Sequence, residues 1–464
     1  MRSDRVVSLQ RQRDREARTG RRSRMAVMAS IACGLAAVWY AGALTAQTGE
    51  PSGVATVDPF ARYTTPGQCQ QAAARLHNFY WRDKRPDTVV YAPLTDSVPV
   101  SVLRAVRACA ARFSVATVPT SELRNLAQLY LWTGQDSLAR VAIDRSMRDM
   151  ANRSASERGW VLSLWVRALL SARPTRTALL THYLAQLDAL GAPAATWRMF
   201  VHADYADYAL SLNDRVLAEA EGRAAIAAGR QMRGDDRIDW VYNLRNTYTV
   251  TAAPIALVRG KAPALALLDT MTKELTPLRP AGSSDQRQLL ENFAETRIPY
   301  SYLGRDSMPR VQASAWYGAP GDTIYPKRGA VSILLFFYGP SYSMFATVRR
   351  LHERYGAQGV NIVFMTTTRG YFRELPMPVP AVESDSLGHY VRGFLNLPVS
   401  LAAETTRFSH IADGRRRNEE TANAKAYSRL GGAVLFDRRG VVRWIGEFSP
   451  RTEAVWDALI RGML

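Results

Sequence analysis

Ile333-Leu334-Leu335-Phe336-Phe337-Tyr338-Gly339-Pro340-Ser341-Tyr342-Ser343-Met344 is the stretch whose reading decides the fold. Six consecutive bulky apolar residues with no polar alternation describe a strand buried on both faces. Gly339-Pro340 ends it, because proline cannot donate to a ladder and glycine weakens a strand interior. From Phe345 to Tyr355 the period changes to that of a helix, with Phe345, Val348, Leu351 and Tyr355 on one face and Arg349, Arg350, Glu353 and Arg354 on the other. The unit is a strand, an exposed turn and a helix. In an open α/β sheet, ligands and reactive groups collect at such a turn, at the carboxyl end of the strand.

Phe336 to Met344 resembles the strand-to-helix segment of thioredoxin-like proteins, especially the extracytoplasmic TlpA-like and AhpC/TSA-like branch. The pattern there is phenylalanine, tryptophan, two small residues, tryptophan and then Cys-x-x-Cys. On that alignment the two redox cysteines fall on Ser341 and Met344. Thiol-disulfide exchange requires a thiolate that attacks a sulfur, and neither residue supplies a redox couple. The family also carries a cis-proline before the final hairpin; that place falls near Gly431-Gly432. The resemblance thus implies a thioredoxin-like domain over residues 311–464 with a degenerate redox site at Ser341, Met344 and Gly431. Gly339, Pro340, Tyr342 and Ser343 remain as a candidate binding turn.

The rest of that domain alternates as a small α/β sheet requires. Val331 to Tyr338 and Val360 to Thr367 read as strands flanking the helix Ser343 to Tyr355, and a right-handed crossover makes them parallel. A helix at Ser384 to Phe394 and a short extended piece at Val399 to Ala402 follow. Ala433 to Asp437 and Val441 to Ile445 read as a hairpin closed by Arg438-Arg439-Gly440, and Glu453 to Met463 as a final helix. Phe408 to Leu430, with Arg415-Arg416-Arg417 beside Glu419-Glu420, reads as a solvated loop with a helix, or as a basic flap over the turn.

Residues 1–24 are arginine-rich, and Met25 to Ala46 is small and apolar, ending before Gln47. This is the pattern of a secretory signal cleaved after Ala46, or of an uncleaved membrane anchor; Arg21-Arg22 fits a twin-arginine route loosely, and a lipobox ending at Cys33 is a third reading. Each places the body outside the cytoplasm, in the periplasm or cell envelope. Apart from Cys33, the chain then carries Cys69 and Cys109 in a compartment that permits disulfides. Residues 67–82 and 99–113 read as helices, and an antiparallel hairpin of the two brings Cys69 to Cys109. A structural disulfide is the expectation, with a redox pair or two buried thiols as the alternatives.

From Ser121 the chain is a succession of helical pairs. Leu123, Leu126 and Tyr130, then Gly134, then Ala139 and Ile143, have the spacing of a tetratricopeptide-like unit: bulky residues, a turn glycine, and alanine where helices approach closely. Trp160 to Leu170 with Thr177 to Leu190, Trp197 to Leu212 with Val216 to Arg230, and Ile238 to Val258 with Pro263 to Leu275 echo it. The organisation predicted is an N-terminal α-helical repeat domain over 60–275, either a solenoid or an irregular bundle, then a C-terminal thioredoxin-like α/β domain. The Pro- and Gly-rich stretch 276–310 reads as a linker with one short helix at Gln286 to Glu295.

The formal charge of +19 shrinks to about +13 once the nine arginines and three acidic residues before residue 25 are set aside. Most of the remainder reads as solvated helix faces, with an anionic envelope partner as the alternative. No nucleic-acid motif accompanies it, so nucleic acid is not an expected partner. His77, His182, His202, His352, His389 and His410 show no zinc spacing, and no metal or other cofactor is expected. No Gly-x-Ser-x-Gly elbow or P-loop occurs, and helix capping accounts for Ser341 or Ser343 better than a hydrolase with His389 does. The function expected is binding or scaffolding of a protein or peptide partner in the cell envelope, with membrane contact through the N-terminal segment if it is retained. The alternative is a TlpA-like thiol-disulfide oxidoreductase working through Cys69 and Cys109.

Overall fold

The computed structural model describes residues 60, 62–84, 100–171, 177–306, 315–317, 326–336, 342–367, 371–372, 375–376, 380–390, 399–404, 408–410, 416–418, 433–449 and 451–464. It is a mostly helical α+β fold. The longer helices described in the first part are α1 (Pro66–Lys84), α2 (Val100–Ala111), α3 (Thr120–Trp132), α4 (Asp136–Asp149), α5 (Ala155–Ser171), α6 (Thr177–Ala189), α7 (Ala195–Ser211), α8 (Arg215–Gln231), α9 (Val241–Arg259), α10 (Lys261–Leu275) and α11 (Ser284–Tyr302), with a five-residue helix, Asp235–Asp239, between α8 and α9. Leu123, Leu126, Ala127 and Tyr130 of α3 are buried against Ala139, Ala142 and Ile143 of α4, which face them after the turn at Gly134. That turn needs a left-handed residue, and Gly134 has φ 72°. Between α7 and α8 the same task falls to Asn213 at φ 60°, followed by Asp214, whose Oδ1 accepts from the Leu217 N–H at 3.1 Å and caps α8.

The α8–α9 crossing is set by glycine. A Cβ added at Gly222 would lie 2.5 Å from Oγ1 of Thr251, a fully buried residue of α9. Gly222→Ala is therefore expected to cost about 1–3 kcal/mol in urea unfolding, through overpacking rather than through helix propensity, which alanine improves.

Six strands form one mixed sheet: β1 (Ala315–Tyr317), β2 (Ser332–Phe336), β3 (Asn361–Thr367), β4 (Ser400–Glu404), β5 (Ala433–Phe436) and β6 (Val442–Gly446), in the order β1-β4-β3-β2-β5-β6. β2 is central. It runs parallel to β3, with Leu334 opposite Val363, and antiparallel to β5, with Leu334 opposite Val434. β4 is parallel to β3, while β1 and β6 run antiparallel at the two ends.

Every residue of β2 is buried, and its parity sorts the two faces. Ile333 and Leu335 pack with Ile362, Phe364 and Leu401 under α12 (Tyr342–Tyr355) and α14 (Glu453–Arg461). Leu334 and Phe336 pack on the opposite face with Val363, Met365, Val434 and Ile445, covered by Ile298 and Tyr302 of α11. The segment whose Pro and Gly content suggested a linker therefore carries a 19-residue helix, longer than the Gln286–Glu295 helix expected. Ser283 caps it by accepting from Gln286 N–H at 3.1 Å. Its exit covers the sheet edge: Gly304 N–H donates to Val442 O at 2.9 Å, and Val442 N–H donates to Arg305 O at 2.8 Å.

The remaining elements are α13 (Pro380–His389), which starts earlier than the helix expected at Ser384, and two short ribbons, Tyr371–Phe372 with Leu375–Pro376 and Phe408–His410 with Arg416–Asn418. The second ribbon lies where a loop with a helix was expected; its tip and the residues beyond it to Leu430 are outside the described residues. β1 was not foreseen, being three residues long.

Candidate functional site

The turn singled out from the sequence is bounded by the carboxyl end of β2 at Phe336 and the start of α12 at Tyr342. Gly339, Pro340, Ser341 and Gly431 lie outside the described residues, while Tyr342 and Ser343 form the first turn of α12. Met344, at the second redox position of the resemblance, is buried at 6% exposure. Its thioether belongs to the core beneath α12 together with Phe345, Val348 and Leu351. Phe345 stands edge-to-face on Phe364 of β3 with ring centroids 5.4 Å apart. The helix is thus pinned to the sheet immediately behind the turn.

A second concave region opens where α7, α9 and α11 meet β6 and the loop into α14. This cleft encloses roughly 500 Å³. Asp207, Arg245, Asn292 and Glu447 line it beside an apolar wall that includes Val250 and Trp444. Its floor is fixed: Thr452 Oγ1 donates to Glu447 O at 2.8 Å, the Trp456 indole N–H donates to the same oxygen at 2.9 Å, and Arg451 pairs with Asp207. Apolar surface with a few placed charges and an amide is the lining that small molecules and peptide segments use.

Cys69 of α1 and Cys109 of α2 are joined in a disulfide, with Cα atoms 6.3 Å apart. Neither has exposed surface. The guanidinium of Arg112 closes over the pair, donating to Cys109 Sγ at 2.9 Å and to Phe60 O at 2.7 Å.

The sequence reading missed a buried ionic group. His202 of α7 puts Nδ1 2.6 Å from Glu221 Oε2 of α8 and Nε2 2.9 Å from Asp188 Oδ1 of α6, and Arg198 Nε donates to the same Asp188 oxygen at 3.0 Å. Carboxylates only accept, so both ring nitrogens carry hydrogen and the ring is an imidazolium. Burial alone would lower the pKa of His202, but its hydrogen bonds to Asp188 and Glu221 outweigh that and raise it to about 9. A histidine held charged this firmly is a strut between three helices and not a general base near neutral pH. The signal available was a histidine at an inward position of an amphipathic helix; its partners lie in other helices and carry no spacing signature.

Among the described residues no helix is long and apolar enough to cross a membrane; the segment Met25 to Ala46 lies outside them. A scan against models of protein families finds none that matches the chain, and a search of curated proteins finds no match either.

Proposed function

We propose that this chain is an exported binding or scaffolding protein of the cell envelope, built from a tetratricopeptide-like helical array and a thioredoxin-like domain whose redox turn has lost its cysteines. The observation that carries the reading is the burial of Met344: a core thioether occupies the helix position where the resemblance calls for a resolving thiol. The parallel β2–α12–β3 unit with the antiparallel pair β5–β6 on the other side of β2 supports the thioredoxin-like assignment. The turn from Gly339 to Ser343 and the cleft beside Trp444 are the contact regions, and a protein or peptide segment is the partner.

Insulin reduction tests this directly. In the presence of dithiothreitol, the purified chain is expected to precipitate insulin no faster than dithiothreitol alone. It is also expected to bind at least one member of a set of fluorescent extended peptides, with Arg245→Glu in the cleft weakening that binding about tenfold. Insulin turnover well above background would overturn the proposal in favour of a TlpA-like oxidoreductase.

A further inference from the structure

We propose that the pocket where the start of α8 meets the β5–β6 turn and the end of α14 is a binding site for a phosphoryl group. Arg215, Arg438, Arg439 and Arg443 line this concavity of roughly 620 Å³, over a floor that includes Leu459 and Met463. Asp437 is the one acidic side chain in the lining, set against four guanidiniums.

That carboxylate is already fully committed. Asp437 Oδ1 accepts from the main-chain N–H of Arg439 at 2.9 Å and of Val441 at 3.0 Å, and Oδ2 accepts from Arg443 at 2.7 Å. Arg439 Nε stands 3.8 Å from the same Oδ2. Burial of Asp437 would raise its pKa, but the Val441 N–H and the Arg443 guanidinium outweigh this and hold the carboxyl below the usual carboxylate range. It therefore works as a brace that orders the arginine-bearing turn, with Gly440 at φ 85° closing it.

Arg215 Nε donates to the neutral amide oxygen Oδ1 of Asn213 at 2.9 Å, and Arg438 Nη2 donates to an oxygen of Leu464, the last residue, at 3.0 Å. Guanidiniums drawn from three separate elements outnumber the carboxylates in this concavity, and the surplus positive charge favours entry of an anion. Guanidinium forks match phosphoryl oxygens in geometry as well as charge, and the apolar floor accepts the organic part of a phosphate ester. A free phosphate compound and a phospholipid headgroup share this chemistry.

Calorimetric titration of the full chain with inorganic pyrophosphate, and sedimentation with phosphatidylglycerol-phosphatidylcholine vesicles, test the site and separate the two sources. Saturable binding in either arm is expected, and Arg215→Gln with Arg438→Gln is expected to weaken it about tenfold or more through loss of two charge-assisted donors. Arg140→Gln with Arg153→Gln removes the same charge from exposed positions on α4 and in the bend before α5, and is expected to leave binding within about twofold. Arg438→Lys keeps the charge without the fork; it is expected to retain the wild-type melting temperature and to bind severalfold more weakly. Pyrophosphate binding without vesicle binding assigns a free phosphate compound; vesicle binding competed by pyrophosphate assigns a headgroup. The site is overturned if neither probe binds, or if the pocket and surface variants lose affinity equally.

Discussion

Replacing His202 by leucine is expected to destabilise the protein by about 3–5 kcal/mol, the range found when one partner of a buried ionic group is removed. The leucine would fit the apolar surroundings of α7, but it leaves Glu221 facing a hydrocarbon and Asp188 with Arg198 alone. The pH dependence separates this mechanism from simple loss of packing. The folded-state pKa of His202, about 9, stands above its ordinary value of 6.5. A raised histidine stabilises the fold fully below pH 6.5, and that contribution is lost as pH rises through 9. It amounts to about 3 kcal/mol on the linkage relation. Asp188 works the other way: burial raises its pKa, but the hydrogen bond from His202 and the Arg198 guanidinium more than offset this and hold it low. Its contribution is present above the ordinary carboxylate pKa and is lost as pH falls through the lowered value. Tyr183 and Tyr248, both pushed up mainly by burial, add their own alkaline loss only above pH 10, outside the histidine window. Urea unfolding at pH 5.5, 6.5, 8 and 9.5 should show wild-type stability falling between the second and fourth points while the His202→Leu variant stays flat there. An unchanged slope in the variant would assign the alkaline loss to other groups.

What the sequence made legible is what local pattern controls. The unbroken apolar run of β2 announced burial on both sides, and the change of period after Gly339-Pro340 announced α12. Its face of Phe345, Val348, Leu351 and Tyr355 is buried on the sheet. The opposite face shows where pattern stops. Arg350 and Arg354 read as solvated, yet Arg350 Nε donates to Glu453 Oε2 at 2.9 Å, and Arg354 pairs with Asp457, which also accepts from the Tyr355 hydroxyl at 2.7 Å. Those partners sit on α14, about a hundred residues away, and nothing in the charge spacing of α12 points to them. The same reason hides the His202 group and the arginine pocket, where Arg438-Arg439-Gly440 reads as a turn and Arg215 completes the lining from a distant helix. The 276–310 segment misled differently. Its prolines and glycines punctuate the ends of α11, and Pro299 sits inside the helix, so composition signalled a break where the chain makes the cover for one sheet face.

Breaking the Cys69–Cys109 bond by the double change to alanine is expected to cost about 4 kcal/mol. The two residues are 40 apart in sequence, and a loop of that size carries this much closure entropy in the chain model. The half-cystines were foreseeable as a pair because two helices and an export-like leader constrained them; their environment was not. Both sulfurs are fully buried in the core shared by α1 to α7, and Arg112 lies over them while also holding Phe60 O and Tyr63 O. Two measurements distinguish a structural bond from a working dithiol. In a Cys33→Ala background the oxidised protein should unfold at higher urea than the double alanine variant, with the gap carried by the midpoint and only a small change in slope. The native protein should also resist dithiothreitol, with thiols appearing at the rate at which α1 and α2 open, because an enclosed sulfur is reached only through that opening. Reduction within seconds under native conditions, with little change in stability, would mean that the pair is accessible and poised for exchange, and would move the oxidoreductase reading ahead of the binding one.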